Sequence, residues 1–365
     1  MAGDPVVFLD DLLQSRALIE RLVAKRGGTM STTPILPPGP DGAPLSIASA
    51  RIGPIDAPRV LFLISGVHGV EGPAGGAIQA SFLRDTLNAS PLADDEAVVI
   101  IHAANPFGWA WSRRATSENV DLNRNFADFS DLPTTPDYEA LNEAINPERL
   151  DDQTFNVAIG RLLAARAQNG AKWLQRVITE GQYTRPEGVH FGGYRPTEEH
   201  QILRTIVRTH AAHARACVFV DLHTGLGDYG DWIVISGAEV GTENAALVER
   251  HVAPFRYRSP YGGEQIEAPA TRGKLGHALE MEASPARAIS MTVEFGTYAD
   301  DRVFLAEMRE NWLYNHGADA APDVAEAIMQ EMRACYAPSD PAWRLKVVQG
   351  GQAAIADMRA LLRAC

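Results

Sequence analysis

Five short runs of almost purely apolar residues, separated by longer mixed segments, constrain the fold of this chain most strongly. They span residues 59–65, 97–103, 216–222, 232–236 and 288–294. Apolar runs of this length, bounded by turn residues, are typical of strands that are buried on both faces. Because helical patterns fill the segments between them, the sequence predicts an α/β protein with a mostly parallel sheet and helices on both sides.

The helical segments and the longer irregular stretches set the expected organisation. Amphipathic patterns predict helices over 10–25, 199–216, 303–314 and 324–335, with a turn-rich stretch filling the rest of the first 50 residues. Residues 127–215 contain no clear buried strand, and we expect an insertion there, helical over 138–180 and followed by a glycine-containing loop. The last 25 residues could add an edge strand and a closing helix. No linker stands out, so we expect a single domain over 1–365.

Composition and charge exclude several classes of protein. The 365 residues include 33 basic and 46 acidic side chains, a net charge of −13, and no basic cluster of the kind a nucleic-acid backbone requires. No apolar stretch is long enough to span a membrane, and the early acids of the N-terminus do not fit a secretory signal. Cys217, Cys335 and Cys365 cannot all pair within one chain, which favours reduced thiols and a cytoplasmic location. The oligomeric state is left open.

Potential metal ligands follow two of the predicted strands. His68 and Glu71 stand three residues apart in a glycine-rich turn after the first run, and His223 follows the third run in the sequence Asp-Leu-His. Ligands bind at the carboxyl ends of strands in open α/β sheets, and two histidines with one carboxylate suit a catalytic zinc ion with one open position. Asp221 could orient an imidazole or be an ordinary polar residue at a strand end. A His-x-x-Glu pair taken alone is equally compatible with a buried histidine and a helix-capping glutamate.

Two further segments carry groups suited to catalysis on a carboxylate-bearing substrate. Asn123 and Arg124 form an adjacent pair that could hold a carboxylate, and either Arg113 or Arg114 could stabilise an oxyanion. Glu294 ends the last apolar run, where a carboxylate next to a zinc ion can act as a general base. Isolated arginines of this kind more often form weak surface ion pairs.

The order of these segments resembles the zinc carboxypeptidase superfamily, which includes the aspartoacylase and succinylglutamate desuccinylase deacylases. The resemblance covers residues 59–126 and 217–298, and its most specific part is the hexapeptide Asp-Leu-Asn-Arg-Asn-Phe at 121–126. It implies a three-layer α/β/α sandwich with a mixed sheet and one zinc ion per chain. Its other implications concern single residues: His68, Glu71 and His223 match the metal ligands, Asn123 and Arg124 the carboxylate-binding pair, Glu294 the base, and Arg114, with Arg113 as the alternative, the oxyanion arginine.

The sequence departs from the superfamily pattern in two places. Carboxypeptidases carry a mobile tyrosine between the third ligand and the base, and Tyr257 and Tyr261 are the candidates here, although neither lies in a segment that aligns. The insertion over 127–215 is longer than a minimal carboxypeptidase needs, and we expect it to cover the cleft, with His190 and Tyr194 as candidates to line it. The pattern is nearest to an uncharacterised bacterial carboxypeptidase-like branch.

Three functions remain open at this stage. The first is a zinc-dependent hydrolase that cleaves a peptide or amide bond next to a carboxylate-bearing residue, with a small peptide as substrate. The second is an N-acyl amino acid deacylase of the aspartoacylase type, favoured by the arginine spacing and the expected cover over the cleft. The third is a non-catalytic metal- or ligand-binding protein on the same scaffold. No Gly-x-Ser-x-Gly segment occurs, which disfavours a serine hydrolase.

Overall fold

The computed structural model describes residues 7–253 and 273–365, together with the backbone of 257–258. Within this part of the chain, eight strands form one sheet: β1 (Thr29–Ile35), β2 (Leu45–Ile52), β3 (Arg59–Ser65), β4 (Glu96–His102), β5 (Ala216–Tyr229), β6 (Trp232–Ser236), β7 (Tyr257–Arg258) and β8 (Arg287–Gly296). Their order is β1-β2-β4-β3-β5-β8-β6-β7. The four central strands β4, β3, β5 and β8 run parallel, whereas β1, β2 and β6 pair antiparallel with β2, β4 and β8. The mixed, mostly parallel sheet is therefore confirmed.

Helices cover both faces of the sheet. The described helices are α1 (Leu12–Lys25), α2 (Gly72–Ser81), α3 (Leu87–Ala89), α4 (Pro106–Ala110), α5 (Pro136–Ile145), α6 (Asp152–Asn169), α7 (Ala171–Thr179), α8 (Glu198–Ala211), α9 (Glu243–His251), α10 (Leu275–Glu282), α11 (Asp300–His316), α12 (Pro322–Tyr336) and α13 (Pro341–Ala364). None of them is long and apolar enough to cross a bilayer.

The side chains of β3 show why polar residues do not alternate with apolar ones in this strand. Leu61 and Leu63 pack in the core formed with α1, α2 and α13, whereas Phe62 and Ile64 pack in the core formed with α8 and α10. Successive residues of a strand point to opposite faces, so both sets are buried only because both faces carry helices. The three-layer α/β/α arrangement is thereby confirmed.

Two features of the fold differ from the sequence-based expectation. β1 and β2 form where the sequence indicated only turns. β1 is mostly exposed, and in β2 the large apolar residues Leu45, Ile47 and Ile52 are separated by serine, alanine and arginine, so neither strand shows an apolar run. The expected C-terminal edge strand was wrong: the region is the single helix α13, whose Trp343, Val347, Ile355 and Met358 are buried on one face at helical spacing. The adjacent valines at 347 and 348 favour a strand only when the residues around them are ignored.

Within residues 127–215, α5, α6 and α7 pack as a helical unit beside the sheet, whereas α8 packs on the sheet itself. α5, α6 and α7 form their own small core, which includes Tyr138, Leu162 and Val177 and is completed by Met308 of α11. In the described structure of 127–215, the isolated bridge between Gln182 and Phe191 is the only β pairing. The loop that follows α7 leads back towards the carboxyl ends of the central strands.

Candidate metal centre

The first two candidate ligands lie on a tight turn at the carboxyl end of β3. Residues Gly69–Glu71 form one turn of 3-10 helix immediately before α2. The turn packs against the backbone of the segment Asn-Pro-Phe-Gly at 105–108: a Cβ atom added to Gly69 would lie 2.1 Å from the carbonyl carbon of Gly108. The amide of Val70 also donates to the carbonyl of Arg113 at 2.8 Å. Only a glycine permits this approach, which fixes the direction of the His68 and Glu71 side chains.

The Asn-Pro-Phe-Gly segment is held in place by its asparagine. The side-chain oxygen of Asn105 accepts from the amide of Gly108 at 2.8 Å and so caps α4. Its side-chain nitrogen donates to the carbonyl of Arg114 at 3.1 Å. Asn105 therefore ties the first turn of α4 to the segment that presents Arg114, and both contact the ligand-bearing turn.

The three candidate ligands converge on one point. His68, Glu71 and His223 form a group whose ligand atoms lie within 4.8 Å of one another, and it is the only group of this kind among the described residues. Glu71 Oε1 lies 2.8 Å from His68 Nδ1, Glu71 Oε2 lies 3.0 Å from His223 Nδ1, and the two Nδ1 atoms are 3.2 Å apart. All three side chains are buried, and a set of two imidazoles and one carboxylate matches the donors that zinc prefers.

Each histidine is oriented by a carboxylate on its far side. His68 Nε2 lies 3.1 Å from Asp121 Oδ1, and His223 Nε2 lies 2.6 Å from Asp221 Oδ2. A proton held on each Nε2 leaves the Nδ1 lone pairs free at the shared point, which is the arrangement metal-ligating histidines usually show. Glu71 is held as well, because the amide of Thr224 donates to its Oε2 at 2.9 Å. The residues present therefore fit a zinc ion.

The electrostatics of the group favour charged carboxylates. Burial opposes ionisation of Glu71, but His68 and His223 lower its pKa well below the ordinary value. Burial likewise opposes the charge on His223, but Asp221 and Glu71 raise its pKa well above the usual range. The raised pKa favours an additional proton on His223. A divalent cation bound by the group would replace that proton, because it supplies positive charge at the same point.

Arg114 and Arg113 point in different directions. Arg114 Nε donates to Asp121 Oδ2 at 3.1 Å, and its Nη1 lies 3.8 Å from Glu71 Oε1, at the edge of the ligand group. Arg113 turns away: it is buried, its Nε bonds to Glu310, and its guanidinium stacks over the ring of Tyr314 at 3.3 Å. Of the two arginines, only Arg114 adjoins the candidate metal centre.

Asn123 and Arg124 follow Asp121 in one turn of 3-10 helix. The side-chain oxygen of Asn123 accepts from the amide of Leu275 at 3.0 Å. Arg124 is largely buried and donates to two backbone carbonyls, to Thr179 from Nη2 at 2.6 Å and to Asn123 from Nη1 at 2.9 Å. Thr179, which belongs to the insertion, therefore contacts the guanidinium group that the sequence predicts to bind the substrate carboxylate.

Glu294 faces the ligand group from β8. It is the register partner of His223 on the neighbouring strand β5. Burial raises the pKa of Glu294 to about 7; the charge of Glu71 adds to this shift, while His223, His68 and Arg114 oppose it. A carboxyl group with a pKa near neutrality can both accept and return a proton at working pH.

Sequence reasoning missed two residues that complete the surroundings of Arg114. Glu307 of α11 lies 3.5 Å from Arg114 Nη1, and the hydroxyl of Tyr336, the last residue of α12, donates to Glu307. Arg114 Nη1 also donates to the hydroxyl of Tyr336 at 3.5 Å. Burial opposes the charge of Glu307, but His190, Arg114 and Tyr336 lower its pKa to about 2. Both residues come from helices whose sequences carry no motif, so no local signal identified them.

The candidates from the insertion and from the following segment occupy different places. His190 is buried, with Nδ1 3.2 Å from Asp121 Oδ2 and Nε2 3.3 Å from Glu307 Oε2, so it connects two carboxylates behind the ligand group. Tyr194 is exposed, and its hydroxyl donates to the carbonyl of Thr184. Tyr261 lies outside the described residues, as does the side chain of Tyr257, whose backbone belongs to β7.

Comparison with known proteins gives one family match and several low-identity structural matches. Residues 8–350 match the model of a family described as "Protein of unknown function (DUF2817)". No curated protein matches the chain.

Among solved structures, the chain is similar to carboxypeptidase A from Helicoverpa armigera, at 15% identity over 90% of this chain and 75% of that one, with a TM-score of 0.45. It is similar to bovine thrombin-activatable fibrinolysis inhibitor in complex with tick carboxypeptidase inhibitor, at 14% identity over 88% and 97%, with a TM-score of 0.47. It is also similar to a protein from Shewanella amazonensis, described provisionally as a metallopeptidase, at 13% identity over 90% and 95%, with a TM-score of 0.43. At these values, the chemistry of the site must be derived from its own residues.

Proposed function

The chain belongs to the DUF2817 family, whose description names no activity, and we propose that this protein is a zinc-dependent hydrolase that cleaves an amide or peptide bond next to a carboxylate-bearing residue. The observation that carries the proposal is the convergence of His68, Glu71 and His223, with ligand atoms within 4.8 Å of one another, directly opposite Glu294 on the adjacent strand. A binding protein would need the ligand group but would not need a carboxyl group facing it from the adjacent strand.

The chain's own residues divide the work of hydrolysis between them. A zinc ion held by His68, Glu71 and His223 would supply a Lewis acid and activate water near neutral pH. Glu294 takes one proton from the attacking water and returns it to the leaving nitrogen, so that its charge is restored at the end of the reaction. Arg114, held by Asp121, stabilises the negative charge that develops on the carbonyl oxygen.

Substrate orientation is assigned to the Asn-Arg pair. Asn123 and Arg124 hold a carboxylate of the substrate, since an arginine can offer two parallel charged hydrogen bonds to a planar anion. Part of the Arg124 guanidinium already bonds to Thr179 of α7. The insertion over 127–215 therefore covers this side of the site, and the substrates are small peptides or N-acyl amino acids.

The contact between Arg124 and Thr179 favours one alternative substrate class. Because α7 adjoins the carboxylate-binding side, an N-acyl amino acid deacylase of the aspartoacylase type is the second candidate function. It uses the same zinc ligands, base and oxyanion arginine. The two functions differ only in whether a peptide or an acyl group is removed from the carboxylate-bearing residue.

Metal analysis coupled to a hydrolysis panel tests the proposal. The panel pairs peptides that have a free C-terminus with N-acyl amino acids, with and without a chelator, and uses His223→Ala as the matched metal-free variant. We expect about one zinc ion per chain and chelator-sensitive cleavage, and the preferred half of the panel separates peptidase from deacylase. Zinc binding without cleavage of any substrate would favour the non-catalytic alternative, and no zinc after reconstitution would refute the site.

A further inference from the structure

Lys274 stands beside the carboxylate-binding pair because its segment is bonded to it. The amide of Leu275 donates to the side-chain oxygen of Asn123 at 3.0 Å, and the amide of Phe126 donates to the carbonyl of Gly273 at 3.0 Å. These two bonds flank Lys274 on both sides. The lysine, which immediately precedes α10, is therefore fixed next to Arg124 by the backbone.

The approach of the two segments depends on a glycine. Gly273 has a φ of +67°, and a Cβ atom added there would lie 2.1 Å from the carbonyl oxygen of Arg124. Any other residue would force the segments apart and move Lys274 away. The position of the lysine relative to Arg124 is thus specified by the local backbone and not by its own flexible side chain.

The ammonium group of Lys274 lies within electrostatic range of two residues of the site. It is partly buried and interacts electrostatically with Arg124 and with Glu294, and burial followed by the charge of Arg124 lowers the pKa of Lys274 to about 8. Among the described residues it has no hydrogen-bond acceptor and no ion-pair partner. A half-buried cation that has no partner among the described residues is stabilised when a ligand supplies the counter-charge.

The arginines near the site already have acceptors. Arg114 bonds to Asp121, Arg113 to Glu310, and Arg124 to the carbonyls of Thr179 and Asn123. Lys274 is therefore the cation of this group for which the described residues supply no acceptor, whereas Arg124 would bind a substrate carboxylate in addition to its backbone contacts.

We propose that Lys274 is a specificity-determining residue that binds a second anionic group of the substrate, so that the site prefers an acidic residue of the aspartate or glutamate type. In this arrangement Asn123 and Arg124 hold one carboxylate and Lys274 holds the other. The inference rests on the proposed hydrolase function and deepens it, because it names the substrate class. A hydrogen-bonded charge pair in a partly buried site supports discrimination of about 10- to 100-fold.

The test compares substrates that differ only in one charge. Zinc-loaded wild type, Lys274→Met and Lys274→Arg are assayed with paired peptides and paired N-acyl amino acids in which glutamate is replaced by glutamine. We expect wild type to favour the glutamate substrate by about 10- to 100-fold in kcat/KM, Lys274→Met to reduce that ratio to about 1, and Lys274→Arg to retain most of it. Lys25→Met, which removes an exposed lysine from α1, is the matched control and should retain the wild-type ratio.

A binding measurement separates failure of this inference from failure of the proposed function. The zinc-loaded proteins are titrated calorimetrically with N-acetylglutamate and N-acetylglutamine, which requires no turnover. Tighter binding of N-acetylglutamate to wild type, lost in Lys274→Met, supports the role of Lys274 even if no substrate is cleaved. Equal affinity of wild type for both probes, or an unchanged preference in Lys274→Met, overturns it even if the protein is a zinc hydrolase.

Discussion

His223 Nε2 lies 2.6 Å from Oδ2 of Asp221, which is two residues earlier on the same strand. Residues i and i+2 of a strand share a face of the sheet, so β5 itself presents the ligand and the carboxylate that orients it. The same strand places His223 opposite Glu294 on β8. One pair of neighbouring strands therefore supplies a candidate ligand, its orienting group and the candidate base.

Asp221→Asn should weaken zinc binding by about 10- to 100-fold, because the amide cannot hold the Nε2 proton of His223 with a full negative charge. Competition with a chromophoric chelator measures the zinc dissociation constant. Asp131→Asn, at an exposed aspartate, is the matched control and should leave the constant unchanged. An Asp221→Asn variant with wild-type zinc affinity would contradict the orienting role of Asp221.

Glu294→Gln should lower kcat by at least about 100-fold while the zinc content stays near one ion per chain, because the amide cannot accept the proton of the attacking water. Single-turnover assays together with elemental analysis of the same sample check both parts. Loss of zinc from this variant would show that Glu294 supports the metal and would remove the base assignment.

Arg124→Ala should raise KM by about 10- to 100-fold for substrates that carry a free carboxylate, and much less for esters or amides that lack it. Steady-state kinetics on both members of such a substrate pair give the comparison. Arg149→Ala, which removes an arginine with 76% of its side chain exposed, is the control. An equal effect of Arg124→Ala on both members would indicate that Arg124 serves only to bond to Thr179 and does not bind the substrate carboxylate.

Tyr336→Phe should lower kcat by about tenfold with little change in KM. The variant removes the hydroxyl that contacts both Glu307 and Arg114, and Arg114 is needed mainly when charge develops on the carbonyl oxygen. Separate determination of kcat and KM distinguishes this positioning role from a general loss of packing, which would appear as a lower melting temperature. Tyr229→Phe is the matched control, since that hydroxyl contacts Asp340. A rise in KM without a fall in kcat would refute the assignment of Tyr336.

Protonation of Glu96 should account for part of the loss of folding stability at acidic pH. Burial opposes its charge, but Arg363 and Arg359 of α13 lower its pKa to about 2, below the ordinary value of about 4.3. The folded state therefore binds fewer protons than the unfolded state, so the contribution is present above about pH 4.3 and is lost as the pH falls towards 2. After allowance for solvent screening at the partly exposed Arg363, it amounts to about 1–2 kcal/mol at neutral pH.

Urea unfolding at pH 7 and at pH 3 measures this contribution. Glu96→Gln should be less stable than wild type at pH 7, and the difference should shrink at pH 3. Glu249→Gln, at an exposed glutamate, should show no such dependence. A difference that stays constant between the two pH values would mean that the ion pairs with α13 contribute nothing that depends on ionisation.

The sequence predicted the central sheet best where residues are buried on both faces. β3 and β6 begin and end as expected, and β5 and β8 extend beyond their apolar runs towards the site. β1 and β2 were not predicted, because neither carries a continuous apolar run: β1 is a mostly exposed edge strand, and in β2 serine, alanine and arginine separate the large apolar residues. α13 was partly misread as a strand, since two adjacent valines indicate a strand only if the wider helical spacing is ignored.

What the sequence determined by itself is the local chemistry of the site. The spacing of His68 and Glu71, the tripeptide that ends in His223 and the position of Glu294 at a strand end all depend on short segments with strong backbone preferences. Only the tertiary structure decided which arginine adjoins the ligands and which residues support it. Glu307, Tyr336 and Lys274 reach the site from segments that are far apart in the chain, so their roles arise from packing between elements and leave no local pattern in the sequence.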